Sequence, residues 1–386
     1  MTLHSKRRIV LAATSAIVMA GVAACGSSSG SGSSSAAGSS IVVGLIQPYS
    51  GAESYYGKYA DDAWTFAMQK YGSTINGHPI ELVKGDSKCE PATAVSAVRQ
   101  ILSKKPSIIE APDCSGDTMA MLPLTTSAKV PLVSENLAPE VTTQGSKYVW
   151  RVQASDAATN KLFGQYISEQ GHKNIGVIHD TTSYGVANAK TLVSALTAAG
   201  NPPKVEASYE VSATDYSGQI LQLKQANLDA AYIEGYDLQE GKLIKQARSL
   251  GLTIPIYGPT TASDDTFIQA AGDAAEGVVF ATSFLPDWSP DAKSFAQEWQ
   301  QKFGYSPNAD SVGIYQAAVV TIKALQKAGS DTSSSAVNAA MANLVVTGLP
   351  EGSVSFDSTG DLAHPLIMDG RWHNKQTDLV KILAKP

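Results

Sequence analysis

Apolar and polar positions along this chain switch repeatedly between two periods. Residues 41–46 form a continuous apolar run, the pattern of a strand buried on both faces of a parallel sheet. Residues 56–71 then place Tyr59, Ala60, Ala63, Trp64, Ala67 and Met68 at helical spacing. The same reading predicts strands at 80–83, 107–111 and 130–133, with helices at 92–102 and 117–128. The alternation restarts with a helix at 157–170. Strands follow at 174–179, 204–209, 230–234, 254–257 and 278–282. Helices separate them at 186–199, 216–226, 238–250 and 264–270, the first of these stopped by Gly200-Asn201-Pro202-Pro203. Strands alternating with helices predict an α/β fold of parallel sheets with helices on both faces. About a dozen strands is too many for one compact sheet, so two lobes are expected. Three later helices, at 290–303, 310–328 and 334–344, must then cover one lobe.

The N-terminus does not fit this pattern. Lys6, Arg7 and Arg8 precede an apolar and small-residue stretch at 9–22, and Val22-Ala23-Ala24-Cys25-Gly26 follows. A basic region, a short apolar core and small residues before a cleavage point read as an export signal, residues 1–24. The cysteine directly after them resembles a bacterial lipobox, which implies lipidation at Cys25. Residues 26–40 contain only Gly, Ser and Ala, a flexible tether with an r.m.s. span of about 20 Å. Its formal G-x-S-x-G, Gly26 to Gly30, lacks the strand and helix a nucleophile elbow needs.

Charge and composition narrow the possible functions. The 386 residues carry a formal charge of −6, which excludes a broad nucleic-acid-binding surface. Losing Lys6, Arg7 and Arg8 takes it to −9, so contact with the membrane is expected only through the anchor. Beyond Cys25, Cys89 and Cys114 remain, each just after a strand end and just before a helix. In an exported protein they either pair or stay as two buried thiols.

Ligands of open α/β sheets bind outside the carboxyl ends of the strands. Tyr55-Tyr56-Gly57, Asp113-Cys114-Ser115-Gly116, Tyr184-Gly185, Gly235-Tyr236 and Gly258-Pro259-Thr260 all fall on that rim. Small residues at a helix start leave N–H groups open to an anion, and Ser115 adds a hydroxyl. His179, the one rim histidine, is expected to pack rather than react.

These stretches carry a resemblance. From Ile41 to about Arg371 the chain resembles the branched-chain amino-acid-binding (leucine/isoleucine/valine) proteins of ABC importers. Further matches are Gly85-Asp86 to Cys89-Glu90-Pro91, Ala138-Pro139-Glu140, His179-Asp180, Thr214-Asp215-Tyr216, Ala275-Glu276-Gly277 and Phe356-Asp357 with Gly360-Asp361. The resemblance implies a two-lobed clamp of the type I periplasmic-binding-protein kind, with crossovers near 153–155, 282–284 and 361–363. The expected lobes are 41–154 plus 284–361 and 155–283 plus 362–386, after a lipidated cysteine and tether at 25–40. A Cys89–Cys114 disulfide, a small-molecule ligand and an ABC permease as partner are also implied. A monomer without cofactor, metal or catalytic residues is expected.

By the same resemblance Ser115 holds the ligand's carboxylate, and Tyr56, Tyr184 and Tyr236 line the cleft. Two positions depart. Leu137 stands where the family has threonine, and Thr260 where it has the glutamate that pairs the ligand's ammonium. An ammonium left unpaired in a closed cleft costs several kcal/mol. Either Glu135, Glu234 or Asp310 replaces that glutamate, or the ligand lacks an α-amino group, as amides, urea-like solutes and aromatic acids do. An exported hydrolase is disfavoured because the chain has no H-E-x-x-H and no P-loop. A ligand-binding module feeding a separate receptor is the remaining alternative.

Overall fold

The structure, a computed structural model, describes residues 39–386. The basic leader, Cys25 and nearly all of the tether lie outside the described residues. The first sheet contains β1 (Ile41–Gln47), β2 (Thr74–Ile75), β3 (His78–Asp86), β4 (Ile108–Glu110), β5 (Leu132–Ser134) and β6 (Val149–Arg151). Its order is β2-β3-β1-β4-β5-β6, parallel except where β2 meets β3. The apolar run at the start of the body is therefore central strand β1. Helix α1 (Tyr55–Tyr71) buries Tyr56, Ala60, Ala63, Trp64 and Ala67 in one core cluster. Helices α2 (Pro91–Leu102) and α3 (Ser115–Ala128) place Val98, Ile101, Met121 and Leu122 in another, and α4 (Glu140–Thr143) adds Val141. The fit is close: a Cβ on Gly44 of β1 would lie 2.6 Å from Ile101.

The second sheet follows. Its order is β15-β14-β11-β10-β9-β7-β8, with β7 (Ile175–Asp180), β8 (Val205–Tyr209), β9 (Ala230–Ile233), β10 (Ile256–Gly258) and β11 (Val279–Thr282) all parallel. Helices α5 (Asp156–Glu169), α6 (Ser183–Ala198), α7 (Ser217–Gln225), α8 (Asp237–Ser249) and α9 (Asp265–Ala271) connect and cover these strands. The antiparallel hairpin β14 (Ile367–His373) and β15 (Gln376–Ala384) completes one edge.

The three later helices, α10 (Pro290–Phe303), α11 (Ala309–Ala328) and α12 (Ser334–Met341), pack on the first lobe. Phe66 of α1 meets Phe295, Trp299 and Tyr315, each at a ring-centroid distance of 5.7 Å. Full burial of such a ring contributes roughly 1.5–3 kcal/mol. A short ribbon of β12 (Val346–Leu349) and β13 (Gly352–Val354) precedes the return to β14.

The chain thus passes between the sheets three times: after β6, after β11 and before β14. Polar groups tie these passages together. Gln153 Nε2 donates to Ser283 Oγ at 2.9 Å, and Ser283 Oγ donates to Glu351 Oε1 at 2.8 Å. Gln316 Nε2 reaches Glu351 Oε2 at 2.8 Å. Arg151 forms a two-pronged pair with Asp361, both contacts at 2.7 Å. Its Nη2 also donates to Thr142 Oγ1 and its Nη1 to the Ala138 carbonyl, each at 2.7 Å.

Candidate functional site

Parallel sheets bring strand ends and the following helix starts to one rim, and here two rims face each other. Tyr56 OH, at the start of α1, donates to Asp237 Oδ1 at the start of α8, at 3.3 Å. Gln239 Nε2 of α8 donates to Glu53 Oε1 just before α1, at 3.1 Å. Both bonds run from one lobe to the other, so the cleft is closed in this structure.

In the first lobe, helix α3 begins on open N–H groups. The N–H groups of Asp117 and Thr118 turn back to the Cys114 carbonyl, while those of Ser115 and Gly116 open the first turn of α3 without an acceptor among the described residues. Ser115 is buried there. Cys89 and Cys114 are joined by a disulfide with Cα atoms 5.5 Å apart, which ties this helix start to the strand end at β3. A cavity of about 280 Å³ lies beside them, lined from both lobes by Glu53, Cys114, Asp117, Thr182, Ser183 and Tyr236.

Aromatic side chains wall the cleft. Tyr56, Tyr184, Tyr236 and Leu137 are buried in one cluster with Cys114. Tyr184 and Tyr236 stack with centroids 5.5 Å apart. Tyr55, Tyr56 and Tyr59 form a second aromatic group, with centroid spacings of 4.4, 5.9 and 6.3 Å. Thr260 is buried at the start of a 3₁₀ turn, Thr260–Ser263. The neighbouring Thr261 Oγ1 donates to Glu240 Oε2 at 3.0 Å.

The acids are the largest surprise. Asp237, Asp264 and Asp310 are buried, and a carboxylate oxygen from each lies within 4.8 Å of the other two. They occupy the first position of α8, the cap of α9 and the first turn of α11. Helix dipoles favour acids at such places. Of the acids named from sequence, Asp310 is in this trio. Glu135 is buried close by, with Gln47 Nε2 3.5 Å from its Oε1. Glu234 sits deeper in the second lobe, accepting from the Asp180 N–H at 3.3 Å. Asp237 and Asp264 went unread because each looked like a helix start. The cues were their positions, one residue after Tyr236 and four after Thr260.

Burial and mutual repulsion shape the chemistry. Burial, then the field of Asp310, holds the Asp237 carboxyl well above the usual range. Burial, Asp310 and Asp237 do the same to Asp264. Glu135 is pushed up to about 8 by burial. Asp113 is raised by burial, Asp310 and Glu135. Among the described residues no Lys or Arg forms an ion pair with any of these five. Gln47 and Asn136, also unread in the sequence, hold the loop around them. Gln47 Oε1 accepts from the Asp113 N–H at 3.0 Å, and Asn136 Nδ2 donates to the carbonyls of Pro112, at 2.9 Å, and of Asp113. His179 Nδ1 meets only the Asp180 carbonyl, at 2.6 Å.

Two α/β lobes joined by three passages and closed over a polar, aromatic cleft define a solute-binding clamp. The chain belongs to the periplasmic binding protein family, whose model matches residues 40–369. It is 27% identical over 347 residues to the leucine-, isoleucine-, valine-, threonine- and alanine-binding protein of Pseudomonas aeruginosa, covering 88% of this chain and 91% of that one. A leucine binding protein of Thermotoga maritima superposes with a TM-score of 0.83 at 27% identity, over 90% of this chain and 99% of that one. A solute binding protein of an ABC transporter from Rhodopseudomonas palustris, solved with 3,4-dihydroxybenzoic acid, gives 0.82 at 25% identity, over 89% and 97%.

Proposed function

We propose that this protein is the extracytoplasmic substrate-binding component of an ABC importer, and that it captures a small amino-acid-like solute bearing an ammonium. The observation that carries this reading is the acid trio Asp237, Asp264 and Asp310 in a cleft that also holds the Ser115 helix start. The trio stands in for the glutamate that Thr260 replaces. The carboxylate rests on Ser115 and the first N–H groups of α3, with Tyr56, Tyr184 and Tyr236 against the rest of the solute, and Leu137 and Glu135 beside it. An amine-free aromatic acid would meet five clustered carboxyls and no cation, so the amino acid is favoured over it. The protein binds without turnover and hands its solute to a permease. No described helix is long and apolar enough to cross a membrane. Lipid on Cys25 is the proposed anchor of an exported monomer.

A thermal-shift screen of the mature chain tests this reading, with α-amino acids set against their deaminated and amidated analogues. A ligand that binds only the folded state stabilises it by about 2.7 kcal/mol at one hundred times its dissociation constant. The expected result is a shift with α-amino acids that Ser115→Ala weakens about tenfold, by losing a hydrogen bond to a charged group. No shift with any small polar solute, on protein freed of carried-over ligand, overturns the reading.

A further inference from the structure

The importer reading explains one acid opposite the ligand's ammonium, but the cleft holds five. Asp237, Asp264 and Asp310 come from three separate helix starts, and the Asp264 carboxyl meets only the other two acids. Glu135 arrives on the loop after β5, from the same lobe as Asp310 and opposite Asp237 and Asp264. It is 2% exposed, its Oε2 is also unpartnered, and the charge that acts on it most is Asp310. Asp113 offers another unpartnered oxygen, in the field of Asp310, Glu135 and Asp237. A helix dipole accounts for each acid of the trio alone. It does not account for five acids gathered with free oxygens and no basic side chain among them.

The side chains facing the acids are aromatic. Tyr55, Tyr56 and Tyr59 on α1 all lie in the field of Asp237 and Asp310. Tyrosine faces attract cations, most strongly where water is excluded. A hard metal ion takes about six to eight oxygen ligands in a cage. The aromatic wall beside these carboxyls suits an organic ammonium better.

We infer that the cognate solute carries at least two cationic nitrogens, so that its positive charge exceeds any carboxylate it bears, as in a basic amino acid or a short diamine. The inference rests on the importer reading and narrows it. One ammonium is met by one or two of the carboxyls, and the second nitrogen takes the others. Burial raises the Glu135 carboxyl to about 8, so a cation that draws it into its charged form releases a proton near neutral pH.

Isothermal titration of the mature chain in detergent tests this with lysine, arginine and 1,4-diaminobutane against leucine, and with calcium chloride alone. Two buffers of different ionisation enthalpy report the protons released. The expected result is at least tenfold tighter binding of one dicationic probe than of leucine. That affinity should fall with added salt, with net proton release, and drop at least tenfold in Asp264→Asn. Should that variant fail to fold, Glu135→Gln is the second test, with a smaller loss expected. Tight leucine binding with no response to the dicationic probes overturns the inference and leaves the importer reading standing. Saturation by calcium that blocks lysine makes the trio a metal site and overturns it too. Silence towards every solute, in this titration and in the wider screen, removes the importer reading with it.

Discussion

The crossover region and the cleft both hold acids away from bulk water, Asp361 half-buried and most of the others buried, yet they treat them in opposite ways. At the crossovers Asp361 is gripped at two points by Arg151, and Glu351 accepts from both Ser283 and Gln316. In the cleft the Asp264 carboxyl meets only the carboxyls of Asp237 and Asp310, and Asp237, Asp310, Glu135 and Asp113 each leave one oxygen free. Buried polar groups that serve the fold are satisfied within it. Those left unsatisfied in a closed cleft await something the chain does not supply. Asp369, buried on β14 of the second sheet, also lacks partners on both oxygens, so it is the clustering of the cleft acids together with their free oxygens that sets them apart.

The largest expected effect breaks the satisfied side. Arg151 is fully buried, and besides Asp361 it holds the Ala138 carbonyl, so it braces the loop that carries Glu135 and Leu137. Removing one partner of a buried pair costs about 3–5 kcal/mol. Arg151→Met should lower the unfolding free energy read from urea curves by that amount. A loss under about 1 kcal/mol would mean that the pair behaves like an exposed one.

How much of this was legible beforehand differs between the same two regions. Long periodic segments read well: the runs at 41–46 and 56–71 became β1 and α1 with ends shifted by a single residue. The three-residue β6 was missed because Val149–Arg151 is too short to show a period, although Arg151 anchors a crossover. The β14–β15 hairpin was missed because β15 is a largely exposed edge strand with no clear alternation. Its turn, Asn374-Lys375, has φ values of 50° and 60°, and the asparagine was the one cue. Tyr56, Tyr184 and Tyr236, named from the rim, and Leu137, named from the family resemblance, fall in one cluster. Asp310 was named, but its grouping with Asp237 and Asp264 was not read, because the three lie far apart in the chain and Asp310 joins the other two from the facing lobe.

The second test sharpens the unsatisfied side through pH. Burial raises the folded-state pKa of Glu135 from near 4.5 to about 8. A raised pKa contributes stability that is fully present below the unfolded value and is lost as pH rises through the folded one. The ligand-free protein should therefore lose stability between about pH 4.5 and 8. Glu351, raised to about 8 as well, contributes to the same window. Glu135→Gln should recover on the order of 2 kcal/mol at pH 8 and nothing at pH 4, read from melting curves across that range. An unchanged pH profile would place the Glu135 carboxyl in water rather than in a dry cleft.

The smallest effect probes the seam between the lobes. Gln239 donates to Glu53, which burial raises and this bond partly relieves. When the lobes part, water replaces the bond, so its loss weakens closure rather than folding. Gln239→Ala should reduce ligand affinity about fivefold, the equivalent of roughly 1 kcal/mol for one hydrogen bond, and leave the urea midpoint unchanged. Arg151→Met should do the reverse in kind, moving the urea midpoint far more than any step of closure. If Gln239→Ala instead lowers the midpoint and spares affinity, Glu53 belongs with the satisfied structural acids. The cleft's unsatisfied set then begins only at the tyrosine wall.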